Sequence, residues 1–114
     1  MASLMNKTNN QEIAINVKEA KNFFARTKGL LGLKELEQGH SLWIHSCRSI
    51  HTFFMQFSID AIFVDKNLVV KAVYKNLKPW RMTLIHPTAT SVFELNAGVI
   101  KDNVSIGDQL YVGA

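Results

Sequence analysis

Ile59-Asp60-Ala61-Ile62-Phe63-Val64, followed by Asp65-Lys66-Asn67 and then Leu68-Val69-Val70-Lys71-Ala72-Val73-Tyr74, reads as two strands joined by a tight turn. Isoleucine, valine and the aromatics suit a pleated, buried surface, and Asp65-Lys66-Asn67 has the composition of a hairpin turn. Asp60 is the one polar intrusion in the first run. A carboxylate among buried side chains must be paired, hydrogen-bonded or protonated, because desolvation opposes its charge.

Working outward, Ser91-Val92-Phe93-Glu94-Leu95-Asn96 and Gln109-Leu110-Tyr111-Val112-Gly113 are further strands, set off by Asn96-Ala97-Gly98 and Ile106-Gly107-Asp108. Glu94 interrupts its strand as Asp60 does. Ser41-Leu42-Trp43-Ile44-His45-Ser46 is another strand, and Ile13, Ile15 and Val17 alternate with Ala14, Asn16 and Lys18 at the period of a half-buried one. Between these, Ala20, Phe23, Phe24 and Thr27 share a helical face, which predicts one amphipathic helix over residues 19–28 stopped by Gly29. A second helical turn is expected in residues 33–40. Residues 1–11 are polar and expected to be a flexible segment, leaving 12–114 as the domain. The expected fold is mainly β: a small barrel or sandwich with one short helix packed near the N-terminus.

The chain has 114 residues, 47% of them hydrophobic and 19% charged, which suits one domain that buries a core without disulfide or metal staples. The lone Cys47 closes no internal bridge and points to a reducing compartment. The opening residues lack a signal-peptide pattern. Residues 53–64 form the longest apolar region and are broken by Gln56, Ser58 and Asp60, so they fall short of the ~20 residues a membrane helix needs. A cytoplasmic monomer with no membrane partner is expected. The net charge of +4 is spread from Lys7 to Lys101 and by itself names no partner.

Taken in order, Arg26-Thr27-Lys28-Gly29-Leu30, Thr52-Phe53-Phe54-Met55, Ile59-Asp60-Ala61-Ile62-Phe63-Val64-Asp65, Phe93-Glu94-Leu95-Asn96-Ala97-Gly98 and Gly107-Asp108 resemble the pattern of DUF192, an uncharacterised bacterial and archaeal family. The resemblance covers almost the whole chain from Glu12. It implies a compact, mostly β domain and no settled activity. Many members carry an export signal, and its absence here points away from an extracytoplasmic role.

Three constellations carry chemistry. Cys47 lies between His45 and His51; on a strand, residues 45 and 47 share a face, so imidazole and thiolate would meet one metal or activate a nucleophile. The alternative is that Cys47 is a small buried hydrophobe. Next, His51, Thr52, Phe54, Met55, Asp60 and Glu94 are candidate ligand-binding residues, expected to line one cleft in which the two carboxylates meet. The alternative places each acid on a solvent face or at a turn, accepting backbone N–H groups. Last, Tyr74-Lys75-Asn76-Leu77-Lys78-Pro79-Trp80-Arg81 interleaves cations with rings as single-stranded nucleic acid requires, but it reads equally as a solvated loop. No phosphate-binding glycine loop, dinucleotide fingerprint or nucleophile elbow is present. The favoured function is a non-enzymatic module binding a small molecule or protein, with no cofactor and no metal. The rivals are a small hydrolase or transferase using Cys47, Asp60 or Glu94, and a nucleic-acid binder using residues 75–81.

Overall fold

The computed structural model describes residues 2–23, 25 and 36–113. The strands are β1 (Ser3–Asn6), β2 (Gln11–Ala14), β3 (Asn16–Ala20), β4 (His40–His45), β5 (Ile59–Val64), β6 (Val70–Leu77), β7 (Ser91–Asn96) and β8 (Leu110–Gly113). They form a three-stranded sheet in the order β2-β1-β8 and a five-stranded sheet in the order β3-β4-β7-β5-β6. Among the described strands only β3 and β4 pair in parallel, and the other ladders are antiparallel.

Every residue of β5 is buried, which explains why it reads as a continuous apolar run rather than an alternating one. Ile59, Ala61 and Phe63 face one core together with Ile44 and Val92, under the loops that carry Cys47, Ile50, Met55 and Ala89. Ile62 and Val64 face the other, with Phe93 and Leu95, against Leu4, Ile13, Ala14 and Leu110 of the smaller sheet. Sealing Phe63 and Phe93 fully from water contributes roughly 1.5–3 kcal/mol each. The turn after β5 forms as its composition suggests: the Asp65 and Leu68 N–H groups donate to Val69 and Asp65 carbonyls, while Asp65 Oδ1 accepts from Asn67 and Val69.

Four expectations need correction. The two sheets do not close into a barrel; the strand order ends in edges at β3 and β6, and at β2 and β8. The helix predicted over residues 19–28 is not supported. Glu19 and Ala20 belong to β3, paired with Trp43 and Ile44, and this long-range pairing overrides a local helical period. Phe24 and residues 26–28 of that segment, like the motif over residues 26–30 and residues 33–35 of the second expected helical turn, lie outside the described residues. The alternating stretch around Ile13 is not one strand: it breaks at the exposed Ile15, where the chain leaves the small sheet and enters the large one. Gly39, at φ 79° just before β4, packs beside this break, and its carbonyl accepts the Ile15 N–H. Within residues 1–11, β1 is the central strand of its sheet, with Leu4 fully buried.

Candidate functional site

The two acids of the expected cleft do not meet. Register pairs Ala61 with Glu94 and Asp60 with Leu95, and paired residues share a face, so Asp60 and Glu94 project to opposite sides of the large sheet. Both are fully buried. Asp60 Oδ1 accepts the Asn76 N–H at 2.8 Å, and Oδ2 accepts those of Gly98 at 3.0 Å and Ile100 at 2.8 Å. The carboxylate thereby stitches the end of β6 and the turn after β7 to β5. Asn76, held at φ 54°, and Gly98, at φ 94°, are the bends it secures. Glu94 lies on the face of Ala61 and Leu42, and its own backbone carbonyl accepts the Ser41 hydroxyl.

Thr52 is also fully buried, and it works as a clasp. Its Oγ1 hydroxyl donates to the Lys78 carbonyl at 2.6 Å and accepts the Arg81 N–H at 3.0 Å. Its backbone N–H donates to Arg81 O at 2.8 Å, and its carbonyl accepts from Trp80 and Met55. Thr83 repeats the device one step along, donating its N–H to Ile50 O while its Oγ1 accepts the Ile50 N–H. Residues 48–52 and 81–86 are thus laced into a plate, with His51 bridged to Met82. Met55 is a buried member of the core beneath it. Phe54 is exposed, and both Phe54 (φ 67°) and Trp80 (φ 64°) are held in the left-handed region that bulky residues avoid. Ring contacts run from Phe23 to His51, Phe53 and Trp80, and Trp80 also meets Phe54 at 4.7 Å.

The cleft that does exist follows the Ser46-Cys47-Arg48-Ser49-Ile50-His51 stretch. A hollow of about 340 Å³ is bounded by these six residues, Phe23 and Met82. A neighbouring one of about 490 Å³ is lined by Ser46, Cys47, Arg48 and Thr90. His51 lines this hollow, and neither Asp60 nor Glu94 is among its lining residues. His45 does not share it with Cys47: β4 ends at His45, and Ser46 at φ 51° breaks the alternation. His45 instead packs at a tilt against the Trp43 ring and meets Glu19 Oε1 at 2.8 Å. Cys47 is buried, and its Sγ–H donates to the Ser49 carbonyl at 3.0 Å. Among the described residues no three His, Cys, Asp or Glu side chains converge as a metal site would require.

In the third constellation, Trp80, Lys78 and Arg81 are exposed, whereas Tyr74 is tied to His86 Nε2 through its hydroxyl at 2.8 Å and Lys75 donates to the Lys101 carbonyl. Two features escaped the sequence reading: the buried Thr83, and the exposed Met82, Leu84 and Ile85 around it. Their only signal was an apolar cluster lacking strand period just before Pro87.

The DUF192 family profile, described as uncharacterized ACR, matches residues 4–112. The chain belongs to the DUF192 family. It is 35% identical over 112 residues to a UPF0127 protein of Thermococcus sibiricus, covering 94% of this chain and 72% of that one. A UPF0127 protein of Pyrococcus furiosus is 34% identical over 111 residues, covering 94% and 95%. Among solved structures, a candidate transcription regulator from Sinorhizobium meliloti superposes with a TM-score of 0.75 at 20% identity, over 97% of this chain and 91% of that one. A protein of unknown function from Novosphingobium aromaticivorans gives 0.77 at 16%, over 96% and 82%. At these identities the two structures share the fold and carry no activity across. The DUF192 pattern positions Asp60, Gly98 and Asp108 act here as fold staples: Asp60 bonds the Gly98 N–H, and Asp108 Oδ2 receives Asn6 Nδ2 and the Ser105 N–H, while beside them the Asn96 amide exchanges two hydrogen bonds with the Leu36 backbone.

Proposed function

We propose that this DUF192 protein is a non-enzymatic binding module whose ligand seat is the cleft along residues 46–51. The observation that carries the reading is the lacing of residues 48–52 to 81–86 by Thr52 and Thr83, which fixes the cleft wall before any ligand arrives. A preformed wall lowers the ordering cost of binding. Phe23, Ile50 and Met82 give the cleft apolar sides, His51 a polar contact and the exposed Arg48 a cation at its rim. A volume of about 340 Å³ suits a small apolar molecule bearing an anionic group. Enzymatic readings are less well supported. Asp60 spends its oxygens on backbone N–H groups, and Cys47 is buried with its Sγ–H bonded to the Ser49 carbonyl.

The test is a panel of small aromatic and aliphatic carboxylates, with matched amines as controls, followed by amide chemical shifts. Carboxylates are expected to move the signals of residues 46–51 and Met82, and Arg48→Ala to abolish the effect. Shifts scattered away from this cleft would overturn the assignment. Iodoacetamide supplies the second arm: Cys47 is expected to react more slowly than a free thiol at neutral pH, and a faster reaction would favour thiol catalysis instead.

A further inference from the structure

Phe54, Trp80, Met82, Leu84 and Ile85 are 57–75% exposed and fall on two adjoining loops. Met82 and Leu84 flank the buried Thr83 and so emerge on the side away from it, while Phe54 touches the Trp80 ring. Burying such side chains would normally stabilise a fold, and Phe54 and Trp80 are moreover held at left-handed φ. Backbone strain of this kind is kept where the surrounding structure enforces it, commonly at functional surfaces. The clasp at Thr52, bonded to Trp80, Arg81 and Met55, enforces it here.

Charge selects the partner. Residues 46–58 and 75–93 contain Arg48, Lys75, Lys78 and Arg81 and no carboxylate, and all four cations are exposed. An apolar strip ringed by cations complements a surface that is apolar beneath an anionic layer. We propose that this strip docks the protein onto an anionic lipid surface, Phe54, Trp80, Leu84 and Ile85 entering the headgroup boundary while Arg48, Lys78 and Arg81 meet lipid phosphates. No described helix is long and apolar enough to cross a membrane, and peripheral docking requires none. A second copy on the strip would oppose its own like charges. Single-stranded nucleic acid finds few free ring faces, because His51, Phe53 and Trp80 already stack on one another, and Met82, Leu84 and Ile85 offer no ring at all. A peptide would want a groove, whereas Phe54, Trp80, Leu84 and Ile85 stand out from the surface, more than half of each exposed. The strip and the cleft share Met82 and Arg48, but the strip is carried by Phe54, Trp80, Leu84 and Ile85, so neither proposal depends on the other.

The experiment uses the full chain carrying Trp43→Phe, which leaves Trp80 as the sole indole. Vesicles of phosphatidylcholine alone are compared with vesicles containing roughly a third phosphatidylserine. The protein is expected to sediment with the anionic vesicles only, with Trp80 emission moving to the blue. Leu84→Ser/Ile85→Ser, at exposed positions where the thermal midpoint should hold, is expected to weaken partitioning by about tenfold or more. The same double variant should leave carboxylate binding at residues 46–51 intact, so failure of one proposal is distinguishable from failure of the other. Absent sedimentation, sedimentation without a Trp80 shift, or unchanged partitioning of the double variant overturns lipid docking. So does self-association in vesicle-free solution that the double variant abolishes, or displacement of the protein from vesicles by oligo-deoxythymidine.

Discussion

Asp60 and Glu94 sit on neighbouring strands, both sealed from solvent, and point to opposite faces of one sheet. The separation follows from register, because a residue shares its face with the residue directly across the ladder, and Glu94 lies across from Ala61. Asp60→Asn puts an amide where Oδ1 or Oδ2 accepted N–H groups, leaving at least one buried donor without an acceptor. A loss of roughly 2–4 kcal/mol in urea unfolding is expected. Because the two carboxyls face opposite sides of the sheet, the effects of Asp60→Asn and Glu94→Gln should sum in the double variant to within about 0.5 kcal/mol. A larger coupling would mean that the two sites communicate through the sheet.

The Thr52 hydroxyl joins two loops through the Lys78 carbonyl and the Arg81 N–H. Thr52→Val keeps the shape and removes the hydroxyl, stranding buried backbone groups at a cost of about 1–3 kcal/mol. Thr52→Ser should recover most of it. Hydrogen exchange provides the local readout: the Trp80 and Arg81 amides should lose protection in Thr52→Val and regain it in Thr52→Ser. Equal protection in all three proteins would show that the loops are held by other means.

Phe54 carries 67% exposure at a φ of 67°. A left-handed backbone costs most residues with a β-carbon about 1–2 kcal/mol, whereas asparagine tolerates it well. Phe54→Asn trades the ring contact with Trp80 for relief of that cost, so the unfolding midpoint should stay level or rise. Partitioning onto anionic vesicles should fall. A stability loss beyond about 1.5 kcal/mol would make the ring a structural element rather than a recognition one.

The Asp65 carboxyl titrates away from its usual value. Desolvation pushes its carboxyl up, but the N–H donors of Val69 and Asn67 together with the Lys71 ammonium outweigh this and hold it below its usual 3.8. With the folded-state value depressed, its stabilising contribution is present above the unfolded-state value and is lost as pH falls through the folded one. Wild type and Asp65→Asn should therefore differ most near neutrality and converge below about pH 4 in denaturant midpoints. A gap that persists unchanged into acid would assign the Asp65 role to something other than its charge.

Much of the fold was legible because short-range physics specifies it. The β-branched and aromatic content of β5, β7 and β8, and the Asp65 side chain that closes the hairpin, depend only on neighbouring residues, and they formed where the sequence placed them. The ordered pattern running from Arg26 to Asp108 likewise sufficed to place the chain in its family. Tertiary structure decided the rest. Residues 16–20 became a strand because β4 offered a parallel partner, and Ile15 broke an apparently continuous strand because the chain changed sheets there. Ser46 at φ 51° parted His45 from Cys47, and a register that no local pattern encodes put Asp60 and Glu94 on different faces. Composition marks a residue as fit for a strand, but the face it presents and the company it keeps are set by partners dozens of residues away.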